Sequence, residues 1–255
     1  MRILVVDSDT AEINARSKAA VGQTTGEGYA AALRACVPDL EVAIIAPYVG
    51  ETRDDLAEFD GVAFTGSGVS WCTDEPQARP LAVVMEACFK AGLPVVGSCN
   101  GMQLAATVLG GSNRAAPKGR EDGLALDIHL TEAGRSHPFM VGRVDGYAVP
   151  CVHRDEVHRL PEGAQILASN AHSDVQAFSF EQGDVRFWGV QYHPEYSLPF
   201  IAGRARTWKR VSAQMADDIE RAADDAAAAK RLGVRIEDMQ PEVRLSELNN
   251  WLHSL

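Results

Sequence analysis

Apolar and polar positions along this chain fall into alternating blocks: short apolar runs, then stretches with helical spacing. The runs are Ile3-Leu4-Val5-Val6, Val42-Ala43-Ile44-Ile45-Ala46, Gly61-Val62-Ala63-Phe64 and Leu93-Pro94-Val95-Val96. Short, wholly apolar runs predict strands buried on both faces. Between them, Tyr29 to Cys36 and Leu81 to Ala91 carry apolar residues at three-and-four spacing. Met102 to Leu109 does the same up to the stop signal Gly110-Gly111, and all three read as helices. The polar stretch Asn14 to Gly28 shows neither period and reads as an unusually long connection. The alternation predicts an α/β fold, doubly wound, with a mostly parallel sheet and helices on both faces. A site on such a sheet lies at the carboxyl ends of its strands, which would gather Asp7, Gly66, Cys99 and His193.

From Leu124 the pattern changes. Leu124 to Leu130, Tyr147 to Val152, Gln165 to Ala168 and Val175 to Phe178 are short strands between turn signals. They should extend the sheet, partly antiparallel. Arg204 to Leu232 then reads as one strongly helical stretch, with Trp208, Val211, Met215 and Ile219 on one face. After Gly233 a second, shorter helix ends in Leu245, Leu248, Trp251 and Leu252. The chain therefore divides into a domain over residues 1–202 and a C-terminal helical extension over 203–255. That extension carries nine Lys/Arg and nine Asp/Glu. A neutral, apolar helical pair suits burial against the parent domain, a second copy in a homo-oligomer, or a docking partner.

Charge and cysteine content narrow the class. The formal net charge of -11 argues against nucleic acid or an anionic membrane as partner. No apolar run is long enough to span a bilayer, and the N-terminus lacks signal-peptide architecture. Five cysteines without metal-ligand spacing fit a reducing cytoplasm. The turn Gly66-Ser67-Gly68 is neither a dinucleotide fingerprint nor a Walker loop, because the third glycine and the Gly-Lys-Ser/Thr are missing.

The chemistry concentrates at Gly97-Ser98-Cys99-Asn100-Gly101-Met102-Gln103. A predicted strand ends there and a helix begins, with glycines that let the backbone turn sharply. This is a nucleophile elbow with sulfur in place of the usual serine oxygen. The helix N-terminus favours the thiolate of Cys99. A base is offered far downstream, where a strand ending Gln191-Tyr192 runs into His193-Pro194-Glu195. Pro194 blocks helix, so both side chains project from a strand-end loop. A carboxylate at Glu195 could take one ring N–H of His193 and free the other nitrogen for the thiol. Backbone N–H groups of Gly66 or Ser67, with that of Asn100, would form an oxyanion hole. Cys36, Cys72, Cys88, Cys151, His129, His137 and His158 are assigned no role.

Gly97-x-Cys99-x-Gly101-x-Gln103 followed by Gln191-Tyr192-His193-Pro194-Glu195 resembles the class I glutamine amidotransferase family. The resemblance runs from about Met1 to Phe200 and is nearest to the branch similar to the amidotransferase half of GMP synthase. It implies a flavodoxin-like fold and a triad of Cys99, His193 and Glu195. It implies that Gln103 helps position the substrate and that His153 lies near it, with the backbone at Ser173 and Asp174 holding the amino-acid end of glutamine. It also implies hydrolysis of the glutamine side-chain amide through a glutamyl thioester, releasing ammonia, without metal or organic cofactor. The small-molecule substrate would be glutamine or a γ-glutamyl amide, and a synthetase on another chain would take the ammonia. A stand-alone γ-glutamyl hydrolase is the alternative. A non-enzymatic module conflicts with an intact triad, and the deglycase and chaperone family with an elbow cysteine lacks the His-Pro-Glu ending.

Overall fold

The computed structural model describes all 255 residues. Its first half alternates as the apolar blocks do: β1 (Arg2–Val6), α1 (Ala11–Val21), α2 (Thr25–Cys36), β2 (Glu41–Ile45), β3 (Gly61–Phe64), α3 (Arg79–Lys90), β4 (Pro94–Ser98) and α4 (Asn100–Val108). The stretch expected to be a long connection is instead α1 and the first turn of α2. Helix α1 buries only Ser17, so it has no apolar stripe to betray it. It is set by its ends: Thr10 caps the first turn through Ile13 N–H, and Gly22 closes the last at φ 80. Thr24 and Glu27 then form a reciprocal capping box that starts α2.

The second half adds β5 (Ser112–Ala115), β6 (Glu121–Leu130), α5 (Glu132–Ser136), β7 (Tyr147–His153), β8 (Asp155–Arg159), β9 (Gln165–Ser169), β10 (Ala177–Gln182) and β11 (Val185–Val190). Nine strands make one sheet in the order β2-β1-β3-β4-β11-β10-β9-β6-β7. The β2 to β11 half is parallel, and β10, β9, β6 and β7 run antiparallel. The short polar strands β5 and β8 pair separately and escaped the pattern. Two registers place the site. Phe64 of β3 lies opposite Gly97, and Val190 of β11 lies opposite Ser98, so three strand ends converge beside Cys99.

Alternate residues of the central strands supply two cores, one on each face. Ile3, Val5 and Val96 pack with Tyr29 and Leu33 of α2. Leu4, Val6 and Val95 pack with α3 and α4. This is the period-two division of a strand buried on both sides. Helices on both faces complete the expected α/β architecture.

The C-terminal part departs from expectation. The predicted single helix over 204–232 is three: α6 (Leu198–Trp208), α7 (Ala213–Arg221) and α8 (Ala226–Leu232). Lys209 takes φ 52 and ends α6, and the side chains of Ser212 and Asp225 cap the next two. The shorter helix expected after Gly233 is also three: α9 (Ile236–Met239), α10 (Pro241–Arg244) and α11 (Ser246–His253). Residues 202 and 203, the expected division of the chain, both lie inside α6. Of the burials its apolar residues suited, the one against the parent domain is observed: Leu248, Trp251 and Leu252 sit in the same cluster as β1 and α2. Trp251 is 1% exposed, and a Cβ on Gly61 would stand 2.8 Å from its ring. Trp251→Ala should therefore cost about 3–5 kcal/mol, measurable as a lowered urea midpoint with unchanged m. A chain ending near Phe200 should not fold.

Candidate active site

Cys99 sits at φ 49 and ψ -104, a strained conformation for a residue with a side chain. Its surroundings impose it. Cys99 N–H donates to Val190 O of β11 at 2.7 Å, while its carbonyl accepts Gln103 N–H at 3.0 Å as the first turn of α4. The glycines leave no room for a side chain: a Cβ on Gly97 would meet Gly101 C at 2.6 Å, and one on Gly101 would meet Phe64 O at 2.6 Å. The thiol is 6% exposed as a residue and lies 3.7 Å from Val152 O, to which it donates.

His193 follows β11, held by its own N–H to Pro150 O at 2.8 Å. Its Nδ1 lies 2.7 Å from Glu195 Oε1, and the two side chains are 1% and 2% exposed. With Nδ1–H given to the carboxylate, Nε2 is the nitrogen left for Cys99, and it has no other partner. The Tyr196 ring stacks on the imidazole at 4.0 Å with an interplanar angle of 1°. Burial pulls the His193 pKa down, but the charge of Glu195 and the neighbouring Cys99 outweigh it and raise it to about 10.

Of the residues expected to form an oxyanion hole, Gly66 and Asn100 lie beside this pair. Gly66 abuts the imidazole, since a Cβ there would overlap His193 Cε1. The Ser67 hydroxyl and Gly68 N–H donate to Asp9 Oδ1 at 2.8 and 2.7 Å, which fixes the turn. Asn100 opens α4, where its N–H has no earlier helical carbonyl to reach.

A model of the family described as "Glutamine amidotransferase class-I" matches residues 30–199. The chain belongs to the class I glutamine amidotransferase family. It is an enzyme of the family's cysteine hydrolase type, as the elbow and the His-Pro-Glu ending led us to expect. Among relatives, a γ-glutamyl-L-1-hydroxyisopropylamide hydrolase of a Pseudomonas species is 31% identical over 100% of this chain and 93% of its own. A GMP synthase of Thiobacillus denitrificans is 36% identical, over 56% of this chain and only 27% of its own. A glutamine amidotransferase of Thermotoga maritima shares the fold at a TM-score of 0.69 with 20% identity, over 100% of this chain and 97% of its own. No helix is long and apolar enough to cross a membrane.

In this amidotransferase-type enzyme the four residues expected to bind substrate are placed unequally. Both N–H groups of the Gln103 amide are spent, on Asp155 O at 2.6 Å and Gln191 Oε1 at 3.1 Å. His153 is 2% exposed, and its ring nitrogens face Asp155 O and Glu121 Oε2, each at 2.9 Å. The Ser173 hydroxyl donates to Glu156 Oε2 at 2.8 Å, and only Asp174 is exposed. The Gln103 Nε2, the His153 ring and the Ser173 hydroxyl are thus hydrogen-bonded within the protein.

Several groups were missed in the sequence. Glu121, Cys151 and His153 gather within 4.8 Å, a second Glu-Cys-His group that is not the triad. Glu121 accepts from Gln176 and Asn170, each at 2.8 Å, as well as from Cys151 at 3.6 Å. This network supports β7, whose Val152 carbonyl faces the nucleophile. Burial and Glu121 push the Cys151 thiol well above its usual range, so it is no competing nucleophile. Asp9 was legible only as one acid in a strand-end Asp-Ser-Asp, and Tyr196 not at all.

The contact under the imidazole gives a direct test. Gly66→Ala should force His193 off its position and cut kcat by ~10²-fold, with the thermal midpoint moved far less than by Trp251→Ala.

Proposed function

We propose that this enzyme hydrolyses small γ-glutamyl amides, glutamine among them, by itself. Cys99 attacks the side-chain carbonyl carbon while His193 takes the thiol proton. The N–H groups of Ser67 or Gly66 and of Asn100 hold the oxyanion, and Glu195 keeps the imidazole oriented. The C–N bond then breaks, and the His193 proton leaves with the amine or ammonia. Water, deprotonated by the same imidazole, cleaves the glutamyl thioester to give free glutamate and the thiol.

The observation that carries this reading is the C-terminal segment. It is packed into the core, and the relative that matches over 100% of this chain, segment included, is a γ-glutamyl-L-1-hydroxyisopropylamide hydrolase. A second reading, glutaminase supplying ammonia to a separate synthetase, is supported by the GMP synthase likeness over about half the chain. The test is amine and ammonia release by the purified full-length protein on glutamine and on γ-glutamyl alkylamides. Multiple turnovers on an alkylamide without any helper support the first reading. Turnover confined to glutamine, and rising only when a synthetase is added, would overturn it.

A further inference from the structure

The loop that carries the base and its acid is held from outside the sheet. Arg244, at the end of α10 and 7% exposed, donates through Nη1 to Pro194 O at 2.8 Å and to Tyr196 O at 2.7 Å. Those carbonyls flank Glu195 on both sides. Arg244 and Glu195 also line one cavity of about 290 Å³ between α2, the 195–200 segment and α10. Glu195 Oε2 and Arg244 Nε are each buried without a hydrogen-bond partner. A carboxylate so enclosed needs positive charge nearby, and Arg244 is the cation that this wall provides in addition to His193.

Arg244 is itself anchored. Its carbonyl accepts Arg143 Nη2 at 3.0 Å, and Arg143 grips both oxygens of Glu247 in α11 at 2.7 Å. Glu247 Oε1 in turn accepts the hydroxyl of Tyr192, the residue before His193, at 2.5 Å. The tail therefore ties down the chain immediately before His193 and on either side of Glu195. None of these contacts touches the reacting atoms.

Building on the reading that Cys99, His193 and Glu195 carry the hydrolysis, we propose that Arg244 is a positioning residue of the triad. Through the two hydrogen bonds of its Nη1, the guanidinium sets the Pro194–Tyr196 loop so that Glu195 Oε1 meets His193 Nδ1, and it balances the buried carboxylate. The C-terminal segment is then part of the catalytic machinery of this chain. A displacement of the imidazole near 1 Å costs on the order of 10²-fold in rate, which sets the scale of the effect.

The experiment uses full-length protein with Arg244→Met and Arg244→Lys, and with Arg221→Met on the exposed face of α7 as control. Three readouts are taken: kcat and KM on a γ-glutamyl alkylamide, the downfield Nδ1 proton of His193 by NMR, and the rate at which a glutamine-mimicking diazo-ketone labels Cys99. Arg244→Met should lower kcat roughly 10–100-fold, with KM within about twofold. The Nδ1 proton should be lost to exchange and labelling slowed about tenfold. Arg244→Lys should recover part of each, because an ammonium restores the charge but not the reach and fixed plane that place Nη1 between the two carbonyls. Arg221→Met should match the parent. A folded Arg244→Met with parental kcat, Nδ1 proton and labelling would overturn the proposal. If Arg244→Met does not fold, Arg244→Lys decides, and parental values in all three readouts there would equally overturn it. Should the parent hydrolyse no γ-glutamyl amide, the functional reading fails, while the proton and the labelling rate still report on Arg244.

Discussion

Cys99→Ala is expected to lose turnover by on the order of 10⁶-fold, the scale set by removing a covalent nucleophile, while keeping its fold. The reason is that no other thiol can substitute. Burial pushes Cys36 up to about 11, and burial with Asp74 does the same to Cys72. Cys88, on the buried face of α3, is pushed up to about 12 by burial. At neutral pH a thiol near 11 is ionised to roughly one part in 10⁴. A glutamine-mimicking diazo-ketone followed by mass spectrometry should therefore label Cys99 alone. A label at Cys72 or Cys151 would remove Cys99 from the mechanism. Cys99→Gly adds a check on the elbow. It should be equally inactive, yet hold or raise the thermal midpoint, because glycine accepts φ 49 at no steric cost.

The second large effect is at the base. His193→Ala should lower kcat/KM by ~10²–10⁴-fold, as loss of a general acid–base group does. Glu195→Gln should cost less, since the imidazole remains, but it should change the titration. In the parent enzyme burial lowers the His193 pKa, and Glu195 and Cys99 raise it to about 10. Removing the Glu195 charge leaves burial opposed mainly by Cys99, so the imidazole should become neutral at a lower pH. NMR titration of the His193 ring checks this, and an unchanged pKa in Glu195→Gln would refute the electrostatic role. The sign for stability follows from the raised folded value. His193 contributes stability that is fully present below its unfolded value near 6.5 and is lost as pH rises through about 10. Glu195→Gln should remove much of that contribution and so flatten the loss of stability between neutral pH and pH 10.

The family, the parallel half of the sheet and the triad were legible in the sequence because each is written locally. Strands β1, β3 and β4 are buried on both faces and so appear as unbroken apolar runs. The elbow at Cys99 needs glycines within two residues, and His193 and Glu195 are separated only by Pro194. Helix α1 was hidden for the opposite reason. It is mostly exposed, so no apolar period marks it, and its evidence lies in the caps at Thr10 and Gly22.

Other features depend on groups brought together from distant parts of the chain. Gln103 and His153, expected near the substrate, also donate to or face Asp155 O, Gln191 and Glu121, partners that only the fold brings to them. The apolar positions of the tail determined that Leu248 and Trp251 would be buried; only the tertiary structure decided against what. Likewise the sequence determined that Cys99 would stand on a tight turn, because glycine spacing is a local steric requirement. That Arg244 would brace the loop of Glu195 from 50 residues away was decided by tertiary packing, since a hydrogen bond to a backbone carbonyl leaves no mark on the residue that accepts it.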